Sequence, residues 1–213
     1  MVVIAPYFGL NYNGFIGNYD ALTKGNITNK KGSFSESYGV LVRYMISERT
    51  GFQLGFGKLN SKYDVTIDRS STSFINEENI SSELPVQFYN NLFSNSPETK
   101  LTKETSYFEV PIEGYYVILN KKFGIASSLG VSLFYLGKNE VYAESDQIEK
   151  TKIGSLSSLL QTSATANAKL YLYYQIMPKL SFDVYPTFQY QILGNSDSSN
   201  YSTYFFSVRA GIG

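Results

Sequence analysis

A chain of 213 residues with 18 basic and 18 acidic side chains has no overall charge with which to hold nucleic acid. Cys, His and Trp are absent while Tyr and Phe number 19 and 15, so a disulfide scaffold is excluded and the usual general base and commonest metal ligand are missing. No apolar run reaches the roughly 18 residues of a membrane-spanning helix, a result that leaves a membrane β-barrel open.

From Val2 to Tyr12 apolar residues recur at every second position. The same alternation returns at Glu36 to Ile46, Gly51 to Ile67, Ser106 to Leu119, Phe123 to Tyr142, Leu160 to Ile176, Leu180 to Leu193 and Tyr201 to Gly213. A period of two predicts strands. The breaks fall into two length classes that interleave strictly. Long ones run from Asn13 to Ser35, Asp68 to Thr105, Ser145 to Leu159 and Asn195 to Asn200, and short ones from Ser47 to Thr50, Asn120 to Lys122 and Met177 to Lys179. Long strands with short turns at one end and long loops at the other predict an all-β fold: an eight-stranded antiparallel up-and-down transmembrane β-barrel with short periplasmic turns and long extracellular loops. With no Pro/Gly/Ser-rich linker, residues 1–213 read as a single domain.

Which face meets lipid follows from the two phases. One phase carries Ile4, Phe8, Leu10, Val40, Val42, Phe52, Leu54, Phe56, Phe108, Val110, Ile112, Leu129, Val131, Leu133, Leu170, Leu172, Phe182, Val184, Phe188, Phe206 and Val208, with no charge in the middle of any strand. The other carries Arg43, Glu109, Glu113, Lys169, Asp183 and Arg209 among small and polar residues, three cations against three anions. An eight-stranded barrel has an interior just wide enough for side chains to fill. Uniformly large apolar residues would overfill it, whereas Gly55, Gly57, Ser128, Gly130 and Ser132 would leave room for ionic chains, so the polar phase is expected inside. Tyr44, Phe123, Tyr135, Tyr174, Phe182, Tyr190 and Tyr204 would then form interfacial girdles. Asp183 and Arg209 are expected as cross-strand neighbours, with Arg43 and Glu113 at their level. Pro186 lacks an N–H for the ladder and predicts a local bulge.

The stretches YFEVPIEGYYVILNKKFGIASSLGVSLFYL (Tyr107 to Leu136), LSFDVYPTFQYQIL (Leu180 to Leu193) and YSTYFFSVRAGIG (Tyr201 to Gly213) resemble the PorT-like outer-membrane β-barrels of the Bacteroidota, through the E-x-P entering the fourth strand and the Pro of the seventh. The resemblance covers most strands and little of the loops. It implies the barrel fold and the bacterial outer membrane, with outer-membrane lipid as surroundings, and carries no catalytic residues. Outer-membrane barrels usually end on an aromatic residue, whereas this chain ends RAGIG with Phe206 as its last aromatic, and its start, MVVIAPYFGL, has no signal-peptide pattern. A trimmed start and either a missing C-terminal piece or a further domain are therefore expected.

Candidate chemistry reduces to scaffold. Glu109 and Glu113 share a strand face about 13 to 14 Å apart by strand rise, wider than either glycosidase spacing, and are expected in an interior ion network that also holds Arg43, Lys169, Asp183 and Arg209. Outer-membrane barrel enzymes resemble one another in relying on His-containing sites, which a chain without His lacks, and a Ser/Lys pair of Lys169 with Ser163 or Ser132 would lie deep in a filled lumen. No cofactor is implied, and the acids Asp68, Glu77, Glu78 and Glu83 read as loop-solvating rather than calcium ligands. The long loop between the third and fourth strands carries ELPVQFYNNLF, whose Leu84, Val86, Phe88, Tyr89, Leu92 and Phe93 could form an amphipathic helix that caps the barrel or docks a partner. The expected function is a non-enzymatic barrel acting as an accessory or structural subunit that binds another envelope component. A small channel and a soluble carrier of an apolar ligand are the alternatives. Bulk at Tyr107, Tyr115, Phe134, Tyr171, Tyr173, Tyr185 and Phe205 argues for a blocked lumen.

Overall fold

The computed structural model describes residues 1–16, 22–24, 30–68, 74–75, 80–82, 84, 98–146, 148–157, 159–195 and 202–213. In chain order the strands are β1 (Val2–Ile16), β2 (Thr23–Lys24), β3 (Lys30–Met45), β4 (Thr50–Asp68), β5 (Phe74–Ile75), β6 (Ile80–Ser82), β7 (Glu98–Leu119), β8 (Phe123–Ser145), β9 (Ile148–Leu156), β10 (Leu159–Met177), β11 (Leu180–Asn195) and β12 (Ser202–Ile212). Eight of them, β1, β3, β4, β7, β8, β10, β11 and β12, pair antiparallel in that order, and the pairing of β8 with β10 and of β12 with β1 closes the ring. The expected strand count and topology hold. The strands are longer than alternation suggested at the loop end, where β7 begins at Glu98 and pairs with β4 as far as Asp68 opposite Glu98. Part of the third long break is itself strand β9, paired with β8 on one side and β6 on the other.

Around the ring the apolar phase points outward. Val131 is 41 % exposed beside Ser132 at 0 %, and Phe182 is 43 % exposed beside Asp183 at 2 %. The reversed arrangement, an apolar interior carrying a ligand, is thereby overturned.

Along β4 the alternation persists but the residue types exchange faces. Phe52, Leu54 and Phe56 lie outside and Gln53 inside; higher up, Lys58, Lys62 and Asp64 lie outside, while Leu59, Tyr63, Val65 and Ile67 are buried. The exchange marks the edge of the bilayer, since a strand emerging from lipid into water must turn its apolar side inward. Above that edge β4, β7, β8, β9 and β6 continue as a sheet with its own core of Tyr63, Val65, Ile67, Ile80, Leu101, Val141, Ala143, Ile153 and Leu156, joined by Leu22.

Two sequence expectations need correction. Pro186 pairs with Val208 between Tyr185 opposite Arg209 and Thr187 opposite Ser207, without a bulge. On its other side the ladder to β10 skips from Lys169 opposite Thr187 to Leu172 opposite Val184 in unchanged register. A proline removes one N–H toward one neighbour, and flanking pairs hold the strand in line. Arg209 lies opposite Tyr185, not Asp183, which faces Gly211. The register across β11 and β12 therefore differs from the expected one by two residues, a shift that leaves Asp183 and Arg209 both on the inner face.

Candidate functional site

The inner face of the transmembrane ring is built from residues that alternation turns inward. Arg209 donates from Nη2 to Glu109 Oε2 at 3.0 Å, Lys169 Nζ lies 2.7 Å from Glu113 Oε1, and Arg43 Nη2 lies 3.7 Å from Asp183 Oδ2. All six predicted ionic residues are inside and buried. Asp183 and Arg209, expected to be neighbours, instead belong to different pairs. Arg43 and Glu113 do share a level, bridged by Gln53, which accepts from Arg43 Nε at 3.1 Å and donates to Glu113 Oε2 at 2.9 Å.

Neutral amides join these pairs into one network. Glu109 also accepts from Ser132 at 2.9 Å and Gln189 at 2.7 Å, and Glu113 from Ser128 at 2.8 Å and Asn167 at 3.2 Å. Asn167 donates further to Ser132 at 2.5 Å, and Gln53 to the Tyr171 hydroxyl at 2.7 Å. Two carboxylates with this many donors are satisfied as ions in a dry interior. Ser132 serves Glu109 while Lys169 serves Glu113, so the Ser/Lys pair is not assembled.

Gln53, Asn167 and Gln189 escaped the sequence reading because an uncharged amide on the inner phase looks like any other polar filler. Register is the signal that could have found Gln53, which lies opposite both Arg43 and Glu113. The glycines also divide differently from expectation. A Cβ on Gly130 would stand 2.9 Å from Glu113 Cγ, and one on Gly9 2.6 Å from Arg209 Cγ, so these two make room for ionic chains. Gly55 makes room for Leu41 at 2.6 Å, and Gly57 for the Tyr7 hydroxyl.

Apolar and aromatic layers flank the pairs of Glu109 with Arg209 and Glu113 with Lys169, whereas Arg43 and Asp183 line the opening at the short-turn end. Toward the short turns lie Tyr7, Tyr115, Tyr171 and Tyr185, with the Arg43 guanidinium 3.9 Å from the Tyr115 ring centre and that of Arg209 4.9 Å from Tyr7. Toward the loops Leu59, Phe134 and Phe205 pack with Tyr107. Tyr173 is only partly buried, at the wall of a cavity of about 700 Å³ that opens at the short-turn end above Arg43 and Asp183.

Outside the bilayer edge the sheet carries an ionic ladder. Lys138 lies 2.6 Å from Glu140 and 3.3 Å from Glu104, Lys150 2.7 Å from Glu104, Lys152 3.6 Å from Glu140, and Lys100 3.2 Å from Asp64. Partial burial acts to raise the Glu104 pKa, but hydrogen bonds from Lys150 and Lys138 outweigh it and hold the carboxyl below its ordinary value. Glu140 is lowered by its bond from Lys138 and then by that from Tyr142. Of the proposed docking residues, Leu84 is partly buried against the outer core; Val86, Phe88, Tyr89, Leu92 and Phe93 lie outside the described residues, as do Glu77, Glu78 and Glu83.

A closed antiparallel ring with an apolar exterior and an ionic interior is a transmembrane β-barrel of the outer-membrane type. The chain is similar in fold to the outer membrane protein OprG from Pseudomonas aeruginosa, at 10 % identity over 99 % of this chain and 93 % of that one, with a TM-score of 0.50. Further matches are Ail, the attachment invasion locus protein of Yersinia pestis, in complex with the heparin analogue sucrose octasulfate (10 % identity, 99 % and 96 % covered, TM-score 0.43), and Neisserial surface protein A (12 % identity, 98 % and 94 % covered, TM-score 0.43). No protein-family model matches the chain, and no curated protein does.

Proposed function

We propose that this protein is a non-enzymatic barrel of the bacterial outer membrane, an accessory subunit that binds another envelope component through the folded sheet standing above its lipid belt. The observation that carries the reading is that sheet itself: β4, β7, β8, β9 and β6 keep a buried apolar core beyond the bilayer edge and so present a shaped, charged surface. The stretches from Tyr107 to Leu136, Leu180 to Leu193 and Tyr201 to Gly213 that resemble the PorT-like barrels of the Bacteroidota support the barrel fold and the outer-membrane location in this reading. A small channel needs a continuous wet path, and Leu59, Phe134 and Phe205 lie across it.

The test combines two measurements on the full chain. A photo-crosslinking side chain at Lys152 in native envelope membranes should give a discrete protein adduct that the same group at Leu180, beside a short turn, does not. Purified barrel in planar bilayers should show no unitary conductance. Steps of conductance, with no adduct at Lys152, would replace the accessory role by that of a channel.

A further inference from the structure

Two concave features adjoin on the outside of the barrel at the bilayer edge. The upper, about 530 Å³, is lined by Leu10, Phe34, Glu36, Lys58, Lys62 and Lys138 among others. The lower, about 360 Å³ and almost wholly apolar, is lined by Phe56, Phe108, Val110, Leu133 and Tyr135 with Phe134 and Thr162. They meet at one register position, where Lys58 lies opposite Phe108, which stacks on Phe56 with ring centres 5.9 Å apart. A backbone irregularity between Ser33 and Ser37 on β3 shapes the upper groove.

The lysines of this outer face are not equivalent. Lys100, Lys138, Lys150 and Lys152 each lie within 4.0 Å of a carboxylate. Among the described residues Lys58 and Lys62 have no ion-pair partner, although both are partly buried and Lys62 lies opposite Glu104. Glu104 is taken by Lys138 and Lys150, and Glu36 pairs with neither free lysine among the described residues. Two half-buried cations without an ion-pair partner among the described residues, directly above an apolar notch on a lipid-facing wall, match an anion that carries hydrocarbon.

We propose that this surface is a binding site for a membrane lipid with a phosphate-bearing headgroup, Lys58 and Lys62 holding the phosphate and an acyl chain lying in the Phe56, Phe108, Val110 and Leu133 notch. The site rests on the reading of the chain as a membrane barrel. An ammonium near a membrane surface contributes roughly fivefold to the binding of an anionic lipid, and the apolar notch adds the chain-packing term that free phosphate lacks.

The chain contains no Trp, so Phe108→Trp gives a single reporter in the notch. The barrel carrying it is reconstituted in mixed phosphatidylcholine and phosphatidylglycerol vesicles, with bromine on the chains of one lipid or the other to quench indole by contact. The expected result is phosphatidylglycerol enrichment at the reporter of about fivefold or more. It should fall to near unity in Lys58→Gln/Lys62→Gln and persist in Lys150→Gln, whose lysine is already paired. A second reporter, Phe182→Trp at the opposite end, should show no enrichment. Equal quenching by the two lipids, or enrichment unchanged in the double variant, would overturn the site while leaving the barrel in the membrane. Absence of quenching by either lipid would overturn the membrane reading itself. Retention of folded-barrel gel mobility accompanies each variant.

Discussion

Glu109 and Arg209 show how the interior is held. Both side chains are fully buried and the pair meets at 3.0 Å, so the charges depend on each other rather than on water. Removing one partner leaves an uncompensated ion in a dry lumen, whereas replacing both removes the demand. Glu109→Gln should therefore destabilise the barrel by about 3 to 5 kcal/mol, and Glu109→Leu/Arg209→Met should recover most of that loss. Urea titration of refolded barrel, read by the mobility of unheated samples on gels, checks both; equal stability of Glu109→Gln and the native chain would remove the network from the account of stability. The six ionic residues were legible in sequence because charge in the middle of a transmembrane strand is costly on the lipid-facing phase and so marks the inner one. Their pairing was not, since Asp183 chooses Arg43 from a strand distant in sequence.

At the scale of elements, the start of β7 at Glu98 rather than Ser106, with β9 added, is the feature that sequence reading underestimated, whereas β4 is expected as far as Ile67. Its signal was present: Tyr63, Val65 and Ile67 alternate in the phase opposite to Phe52, Leu54 and Phe56. That reversal reads as strand on β4, but its partner, the first part of β7 opposite it, reads as loop. The outer ladder makes this sheet pH-sensitive. The folded-state pKa values of Glu104 and Glu140 lie below the ordinary carboxylate value. Their contribution is thus fully present above about pH 4.3, the unfolded value, and is lost as pH falls through the folded values. Amide exchange of β9, corrected for intrinsic rates, should be faster at pH 3 than at pH 7. It should also quicken in molar salt at pH 7, because these pairs are partly exposed and therefore screened. Corrected protection that is identical at both pH values would refute the ladder's role.

For the whole molecule, the closed ring removes every free strand edge from lipid, and the outward belt replaces a conventional core as the apolar surface. Val131 and Ser132, neighbours on β8, test this directly, and a chain without Cys gives a clean background. A probe on Val131→Cys should be quenched by lipid-chain quenchers, and one on Ser132→Cys should not. Val131→Arg should cost about 2 to 4 kcal/mol if the residue lies near the bilayer midplane. Tolerance of arginine there would mean that the belt does not face hydrocarbon.

The sequence by itself determined the strand count, the topology and the side that faces lipid. Those depend on period-two patterning and on the lengths of connections, both local properties of the chain. Only the tertiary structure decided which charges pair, which glycines make room for which side chains, how far the sheet rises above the bilayer, and that Lys58 and Lys62, without an ion-pair partner among the described residues, stand over an apolar notch. Each of these is a meeting of strands remote in sequence, fixed by register and closure of the ring. Composition carries no record of it.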